Sequence, residues 1–516
     1  MSTLDGATTP ILAGFYPDPS ICRVGEDYYL VTSSFELFPG VPIWHSRDLV
    51  TWTQIGNVLD RPSQLNLEPM TSWVAGGSYR SDGKPARPGA GSDGIYAPTI
   101  RHHGGRFWMT TTVANLAARG PLIVSAENPA GPWTDPVYVD GLIGIDSDLF
   151  WDDDDTCHMT FSAYGSGVAR ILTVPIDPVT GRTLGETREL WQGTGGLVPE
   201  APHLYRREGW WYLMLAEGGT AAGHAVTIAR AESLDGPWHS HPANPILSHR
   251  GIDHPVQYTG HGDLVETPDG EWAIVYLGVR LRGFPGFHVN GRETFLAGVE
   301  WRDGWPYVVE DRYHVPVPDH GFVDDLSLSL GPDWVSVGRD ASHRLESAAS
   351  GTRITAGEGE WDAFVGVRTR DDYWTAELDV DVNRGSGALT LRLSDDHFVE
   401  IRASADGRQV VATSAGLGTV ATYDPETTDG TARLFVRTVP ASGILVHVGP
   451  DVVEVGEIVD DTPRVLFRLD GRHVSTEVAG GFTGRLVGVR ALSGSITVSR
   501  FAYHPDRPEL TTTALW

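Results

Sequence analysis

The sequence predicts an all-β protein: a five-bladed β-propeller followed by a C-terminal β-sandwich. Three observations carry that reading. A hairpin motif recurs five times in the first 300 residues. Beyond Phe322 the chain becomes short alternating strands split by turn residues. Convincing helix signals are absent throughout, which argues against a (β/α) barrel.

Length and composition set the frame. A chain of 516 residues exceeds what one hydrophobic core usually serves, so two domains are expected. The 61 glycines and 34 prolines mark many turns, and the 17 tryptophans suit both β-cores and sugar-stacking surfaces, with the core taking most of them. A net charge of −28 argues against nucleic acid or an anionic membrane as partner, because both are polyanions. No run approaches the ~18 apolar residues of a membrane span. The two cysteines, Cys22 and Cys157, imply neither a disulfide framework nor a metal motif. The N-terminus lacks a basic start followed by an apolar stretch, so the expected location is cytoplasmic.

The repeat reads DPSICRVGEDYYLVTSS from Asp18 and APTIRHHGGRFWMTTTV from Ala97. It returns as DSDLFWDDDDTCHMTFSA from Asp146, APHLYRREGWWYLMLAEG from Ala201 and HGDLVETPDGEWAIVYLG from His261. Each copy is a polar or small start, a polar turn, then an alternating aromatic and aliphatic run, the pattern of a β-hairpin. A second pattern, at Ser46, Ser125 and Ala231, would supply outer strands closed by Trp52, Trp133 and Trp238. Self-similar hairpins at about 50-residue spacing read as propeller blades.

Inner strands of a propeller converge on its axis, so the hairpin heads share one pocket. Those heads are Asp18, Ala97, Asp146, Ala201 preceded by Glu200, and His261. Taken singly, each has a plain structural account: Asp18 in Tyr-Pro-Asp-Pro reads as a turn former, and His261 as a backbone hydrogen-bonder. Three carboxylates from three blades facing one axis are not what packing selects, since gathered like charges cost energy. Glycosidic bond hydrolysis needs such a set: a protonated acid for the leaving oxygen and a carboxylate that activates water or attacks the sugar.

These residues carry a family resemblance that runs nearly end to end. The chain resembles glycoside hydrolase family 43, in its two-domain β-xylosidase/α-L-arabinofuranosidase branch. The likeness rests on Ile11–Ser20, Ser33–Trp52, GIYAPTIRHH at Gly94, GIDSDLFWDDD at Gly144 and PEAPHLY at Pro199. AEGGTAAGHAVTIAR at Ala216, GHGDLVETPDGEW at Gly260 and GRET at Gly291 complete it. The resemblance implies an exo-acting, inverting enzyme on short β-1,4-xylooligosaccharides, with arabinofuranosidase or dual activity as the alternative. It implies Asp18 as general base, Glu200 as general acid and Asp146 as the residue that tunes and orients the acid. Arg292 would bind sugar hydroxyls, and Phe35 and Tyr96 would line the sugar pocket. His261 resembles a channel histidine that in relatives helps hold a water or metal, so a channel or structural Ca2+ is implied, none being required for catalysis. A homo-oligomer, dimer or tetramer, is also implied.

Three positions depart from the family pattern. Asp146-Ser147-Asp148 stands where Asp-Pro-Ser is usual, Tyr96 where tryptophan is common, and Ala201 where glycine is common. They leave every required carboxylate in place and bear on substrate choice.

The repeat stops after Val299–Glu310, and Val315–Gly321 reads as a linker between a propeller over residues 1–314 and a second domain over 322–516. The runs LTLRLSDDHFVEIRAS, ARLFVRTV, GILVHVGP, RVLFRLDG and GRLVGVRAL predict a β-sandwich. The resemblance makes it concanavalin-like and supplies a phenylalanine that closes the pocket. Phe482 in GGFTG is the candidate, either for that role or for the sandwich core. Two other functions compete. A retaining fructosidase would begin with Asn-Asp-Pro-Asn-Gly, whereas Tyr16-Pro17-Asp18-Pro19-Ser20 stands here. A non-catalytic sugar-binding propeller would not need acids with separate roles.

Overall fold

The computed structural model describes residues 8–65, 67, 91–165, 168–326, 330–359, 361–414, 417–423, 430–441 and 448–506. The chain divides into two compact units. The first comprises residues 1–75, 92–280 and 292–317; the second comprises 76–91, 281–291 and 318–516.

The first unit is a five-bladed propeller. Each blade is a meander whose first strand lies innermost. Blade 1 runs Ser20–Val24, Asp27–Val31, Gly40–Ser46 and Thr53–Leu59; blade 2 runs Thr99–His103, Arg106–Thr111, Leu122–Ala126 and Val137–Tyr138. Blade 3 has Ile145–Trp151, Cys157–Gly165 and Val168–Asp177, with the short strands Arg182–Thr183 and Arg188–Trp191 both on its outer edge. Blade 4 has Glu200–Arg207, Trp210–Glu217, Ala225–Ala231 and His239–Ser240. Blade 5 has Val256–Glu266, Trp272–Arg280, Glu293–Arg302 and Trp305–Val309. Trp52 and Trp238 immediately precede the outer strands of blades 1 and 4, while in blade 2 Trp133 lies buried in the turn before its outer strand.

Period-two alternation explains how flat hairpins stack into a ring. In blade 4, Tyr212 and Met214 face blade 5, packing with Ile274, Tyr276 and Phe295. Their neighbours Trp211, Leu213 and Leu215 face blade 3 and pack with Ile171 and Leu190. Blade 2 repeats this: Phe107 and Met109 join the core shared with blade 1, and Trp108 joins the core shared with blade 3. Each strand thus feeds two cores, which is why these runs are apolar on both faces.

The ring closes without a covalent join. Leu12 exchanges both backbone hydrogen bonds with Thr294 of blade 5 at 3.2 Å, and the Thr294 hydroxyl donates to Tyr16 O at 2.6 Å. The Gly14 N–H donates to Glu293 Oε1 at 2.8 Å. The segment just before blade 1 is thereby pinned to the last blade, which sets Asp18 beside Arg292.

The second unit is a β-sandwich. The 20-residue strand Leu486–Pro505 belongs to both layers. Its first half pairs with Gly385–Ser394 and Phe364–Arg368, and its second half with Trp374–Asp381, Gly351–Thr355 and Phe322–Asp324. The inward residues Leu378, Leu391, Ile401, Leu434, Val455, Val489 and Phe501 form one core. The four predicted runs around residues 389–404, 432–439, 464–471 and 484–492 are strands here; most of GILVHVGP lies outside the described residues. Both cysteines are buried free thiols.

Candidate active site

Four of the five blade heads share an unusual backbone. Asp18, Asp146, Ala201 and His261 all have positive φ, between 46° and 55°. In blades 3, 4 and 5 this residue sits inside a register shift of the inner strand, between Ile145 and Asp148, Glu200 and His203, and Gly260 and Asp263. A left-handed non-glycine residue costs about 1–3 kcal/mol, and such strain clusters where a side chain must be aimed. Here the bulge turns the head residue toward the axis, and Ala201 carries the strain with no side-chain hydrogen bond to offset it.

Asp18 is buried and fully engaged. Arg292 donates to both of its oxygens, Nη1 to Oδ1 at 2.7 Å and Nη2 to Oδ2 at 3.1 Å, and the Ser33 hydroxyl donates to Oδ2 at 2.5 Å. Burial pushes this carboxyl up. Arg292, His261, the Ser33 hydroxyl and His224 together outweigh burial and leave the pKa below the ordinary value. Asp18 is therefore an anion held ready at neutral pH. Arg292 Nη1 also donates to the Thr220 hydroxyl at 3.1 Å.

Asp146 has the opposite environment. Burial, then repulsion from Glu200 and Asp18, holds its pKa well above the ordinary range, against smaller help from the Ala201 N–H and Arg292. That N–H donates to Asp146 Oδ2 at 3.1 Å, so Asp146 grips the residue next to Glu200. Glu200 opens the inner strand of blade 4 and is half-buried. The loop before it is anchored by buried Glu217, which accepts from Thr194 N at 2.9 Å, Gly196 N at 3.1 Å and the Thr227 hydroxyl at 2.6 Å. The two aspartates are thus pushed apart, Asp18 toward the anion and Asp146 toward the protonated form.

His261 lies with Nδ1 3.7 Å from Asp18 Oδ1 and is pushed down to about 3 by burial, so its ring is neutral. His224, beside it, is likewise lowered to about 4 by burial; Nδ1 meets Tyr258 O at 3.0 Å. Gly260 is required here, because any side chain would run into the His224 ring. The implied calcium does not fit this place. Calcium takes 6–8 oxygen ligands. Around His261 stand the imidazole of His224 and the guanidinium of Arg292, while the Asp18 oxygens are committed to Arg292 and Ser33.

Phe35 and Tyr96 form an aromatic wall, ring centroids 5.4 Å apart, with the Arg292 guanidinium 5.5 Å from the Phe35 ring. The Tyr96 hydroxyl donates to Ser92 O at 2.9 Å. Gly94 has φ 97° and lies against the Phe35 carbonyl, where no side chain has room. Phe482 belongs to the second unit, is half-buried, and its N–H donates to Gly91 O at 2.5 Å.

Two residues beyond four of the heads, and four beyond Ala97, a second layer crosses the axis. Arg101 of blade 2 donates to Asp263 Oδ2 and to Asp148 Oδ2, both at 2.8 Å, and meets His203 Nδ1 at 3.0 Å. The Ser20 hydroxyl donates to Asp263 Oδ2 at 2.7 Å and the Tyr205 hydroxyl to Oδ1 at 2.6 Å. One polar network thus joins all five blades beneath the reaction ring. It accounts for Asp148, the acid that departs from the family pattern: it neutralises Arg101 rather than joining the carboxylates above. The sequence reading did not single out Arg101, His203, Tyr205 or Asp263. The signal was available, since Ser20, Asp148, His203 and Asp263 each follow a head by two positions. Ser33, Thr220, His224 and Glu217 were also missed; only tertiary structure brings them here.

A five-bladed propeller that gathers Asp18, Asp146 and Glu200 at its axis holds the kind of carboxylate set that glycoside hydrolysis uses. The profile of Glycosyl hydrolases family 43 matches residues 7–306, and the chain belongs to that family. It is 35% identical to a non-reducing end alpha-L-arabinofuranosidase of Bacteroides ovatus, covering 93% of this chain and 90% of that one. It is 40% identical to a xylosidase/arabinosidase of Humicola insolens, covering 97% of each. The solved xylan beta-1,4-xylosidase of Bacillus halodurans superposes with a TM-score of 0.81 at 27% identity, over 96% of this chain and 99% of that one.

Proposed function

We propose that the chain releases xylose from the ends of short β-1,4-xylooligosaccharides by single displacement with inversion. The observation that carries the reading is the division of the axial acids: Asp18 held ionised by Arg292, and Asp146 held high beside Glu200. In this mechanism Asp18 takes a proton from water as that water attacks the anomeric carbon. Glu200 delivers a proton to the departing oxygen, and Asp146 fixes its strand through the Ala201 N–H. Arg292, anchored on Asp18 and Thr220, faces the sugar hydroxyls, and Phe35 with Tyr96 supplies apolar contact for the ring.

A second reading, α-L-arabinofuranosidase or dual activity, is favoured by the names of the Bacteroides and Humicola relatives. Rates on nitrophenyl β-xyloside, nitrophenyl α-arabinofuranoside and xylobiose, compared side by side, separate the two. Proton NMR of the first-formed sugar should show the inverted anomer; a retained anomer would remove Asp18 from the role of base.

A further inference from the structure

Outside the axis, two histidines and a glutamate converge on the rim of blade 5. His249 and His254 lie in the connection between His239–Ser240 and Val256–Glu266, and Glu310 directly follows Trp305–Val309. One ring nitrogen of each histidine and one carboxylate oxygen lie within 4.8 Å of one another. His249 is buried, while His254 and Glu310 are half-buried, so solvent ions reach the cluster.

The surrounding bonds select which atoms face inward. His249 Nδ1 meets Val256 O at 2.7 Å, which leaves Nε2 toward Glu310 Oε2, also at 2.7 Å. His254 Nδ1 faces both Val256 O at 3.0 Å and the Val256 N–H at 3.1 Å; the tautomer that donates to the carbonyl leaves Nε2 as the nitrogen it offers. A carbonyl behind each imidazole is the support that metal-binding histidines use to fix tautomer and ring angle. The chain of His254 is itself held, since Gln257 Nε2 donates to His254 O at 2.8 Å. An ion pair alone needs only His249 and Glu310. A second imidazole with its centroid 3.9 Å from the first opposes a charge on His249, but serves a cation shared by both.

We propose that His249, His254 and Glu310 bind one divalent transition-metal ion of the zinc class. Two imidazoles and a carboxylate suit that class and not calcium or magnesium, which prefer all-oxygen sets. The ion staples the loop before blade 5 to that blade's outermost edge, and its role is structural. The proposal does not depend on the substrate assigned above.

The test uses the full chain, stripped with chelator and titrated calorimetrically with zinc chloride, with calcium and magnesium chloride as controls. One zinc per chain is expected, without comparable calcium or magnesium binding. His254→Ala and Glu310→Gln should each weaken it at least about tenfold, and His261→Ala should leave it unchanged. Zinc X-ray absorption of the wild-type protein needs no variant to fold, and should show two imidazoles at about 2.0–2.1 Å. Absence of saturable zinc binding, fewer than two imidazoles, or loss of binding in His261→Ala but not in His254→Ala would overturn the proposal.

Discussion

Arg292 places one nitrogen on each oxygen of Asp18, at 2.7 and 3.1 Å, in a bidentate pair sealed from solvent. A lysine cannot reproduce this, because its ammonium is a point charge without the planar fork. Arg292→Lys should therefore lower kcat/KM by about 10- to 150-fold, the range that 1.5–3 kcal/mol for a hydrogen bond to a charged group converts to. The pH profile should move as well. Arg292 lowers the Asp18 pKa, and the base acts ionised, so weakening the pair raises that pKa. The acidic limb of kcat/KM shifts to higher pH. An unmoved limb would mean that Asp18 does not set it.

Base and acid should separate by leaving group. In Glu200→Gln the proton for the departing oxygen is lost, which matters most when that oxygen is basic. Xylobiose turnover should fall by about 10²–10⁴, while a dinitrophenyl xyloside, whose phenolate leaves unaided, keeps most of its rate. Asp18→Asn removes water activation and should depress both substrates alike. The reverse pattern would exchange the two roles.

Asp146 should show a conflict between activity and stability. Its folded pKa is raised above the unfolded value, so its contribution is fully present at low pH and is lost as pH rises, when only the unfolded chain ionises freely. Asp146→Asn removes the ionisable group but keeps its shape. Tm should rise relative to wild type at pH 7 and change little at pH 4, while kcat falls at both. Scanning calorimetry at the two pH values checks this, and an equal Tm difference at both would show that burial does not tune Asp146.

The fold was legible because each blade repeats one hairpin, and two-sided apolar strands such as Trp210–Glu217 announce stacking on both faces. The heads were legible for the same reason: Asp18, Asp146 and His261 begin recognisable copies. Arg101 was not, because nothing in its own hairpin says that a cation is needed; the need arises from Asp148 and Asp263, brought from other blades. Likewise, Glu217 is an ordinary strand residue until the loop at Thr194 folds onto it. Period-two spacing gives the face a residue occupies, and only the closed ring gives its partners.

That dependence on partners makes Arg101 the most consequential residue of the lower layer. Its guanidinium lies 2.8 Å from both Asp148 and Asp263, acids at most 1% exposed in their side chains. Arg101→Met fills similar volume but leaves two buried carboxylates without a counter-charge. Removing one partner of a buried pair typically costs about 3–5 kcal/mol, so a marked fall in Tm is expected. The same reasoning makes a rescue testable. Asp148→Asn placed on the Arg101→Met background removes one orphaned charge, while Asp263 keeps its bonds from Ser20 and Tyr205. The double variant should regain part of the lost Tm, although Asp148→Asn alone destabilises by leaving Arg101 less compensated. A double variant no more stable than Arg101→Met would show that packing around the guanidinium, not charge pairing, holds the five blades together.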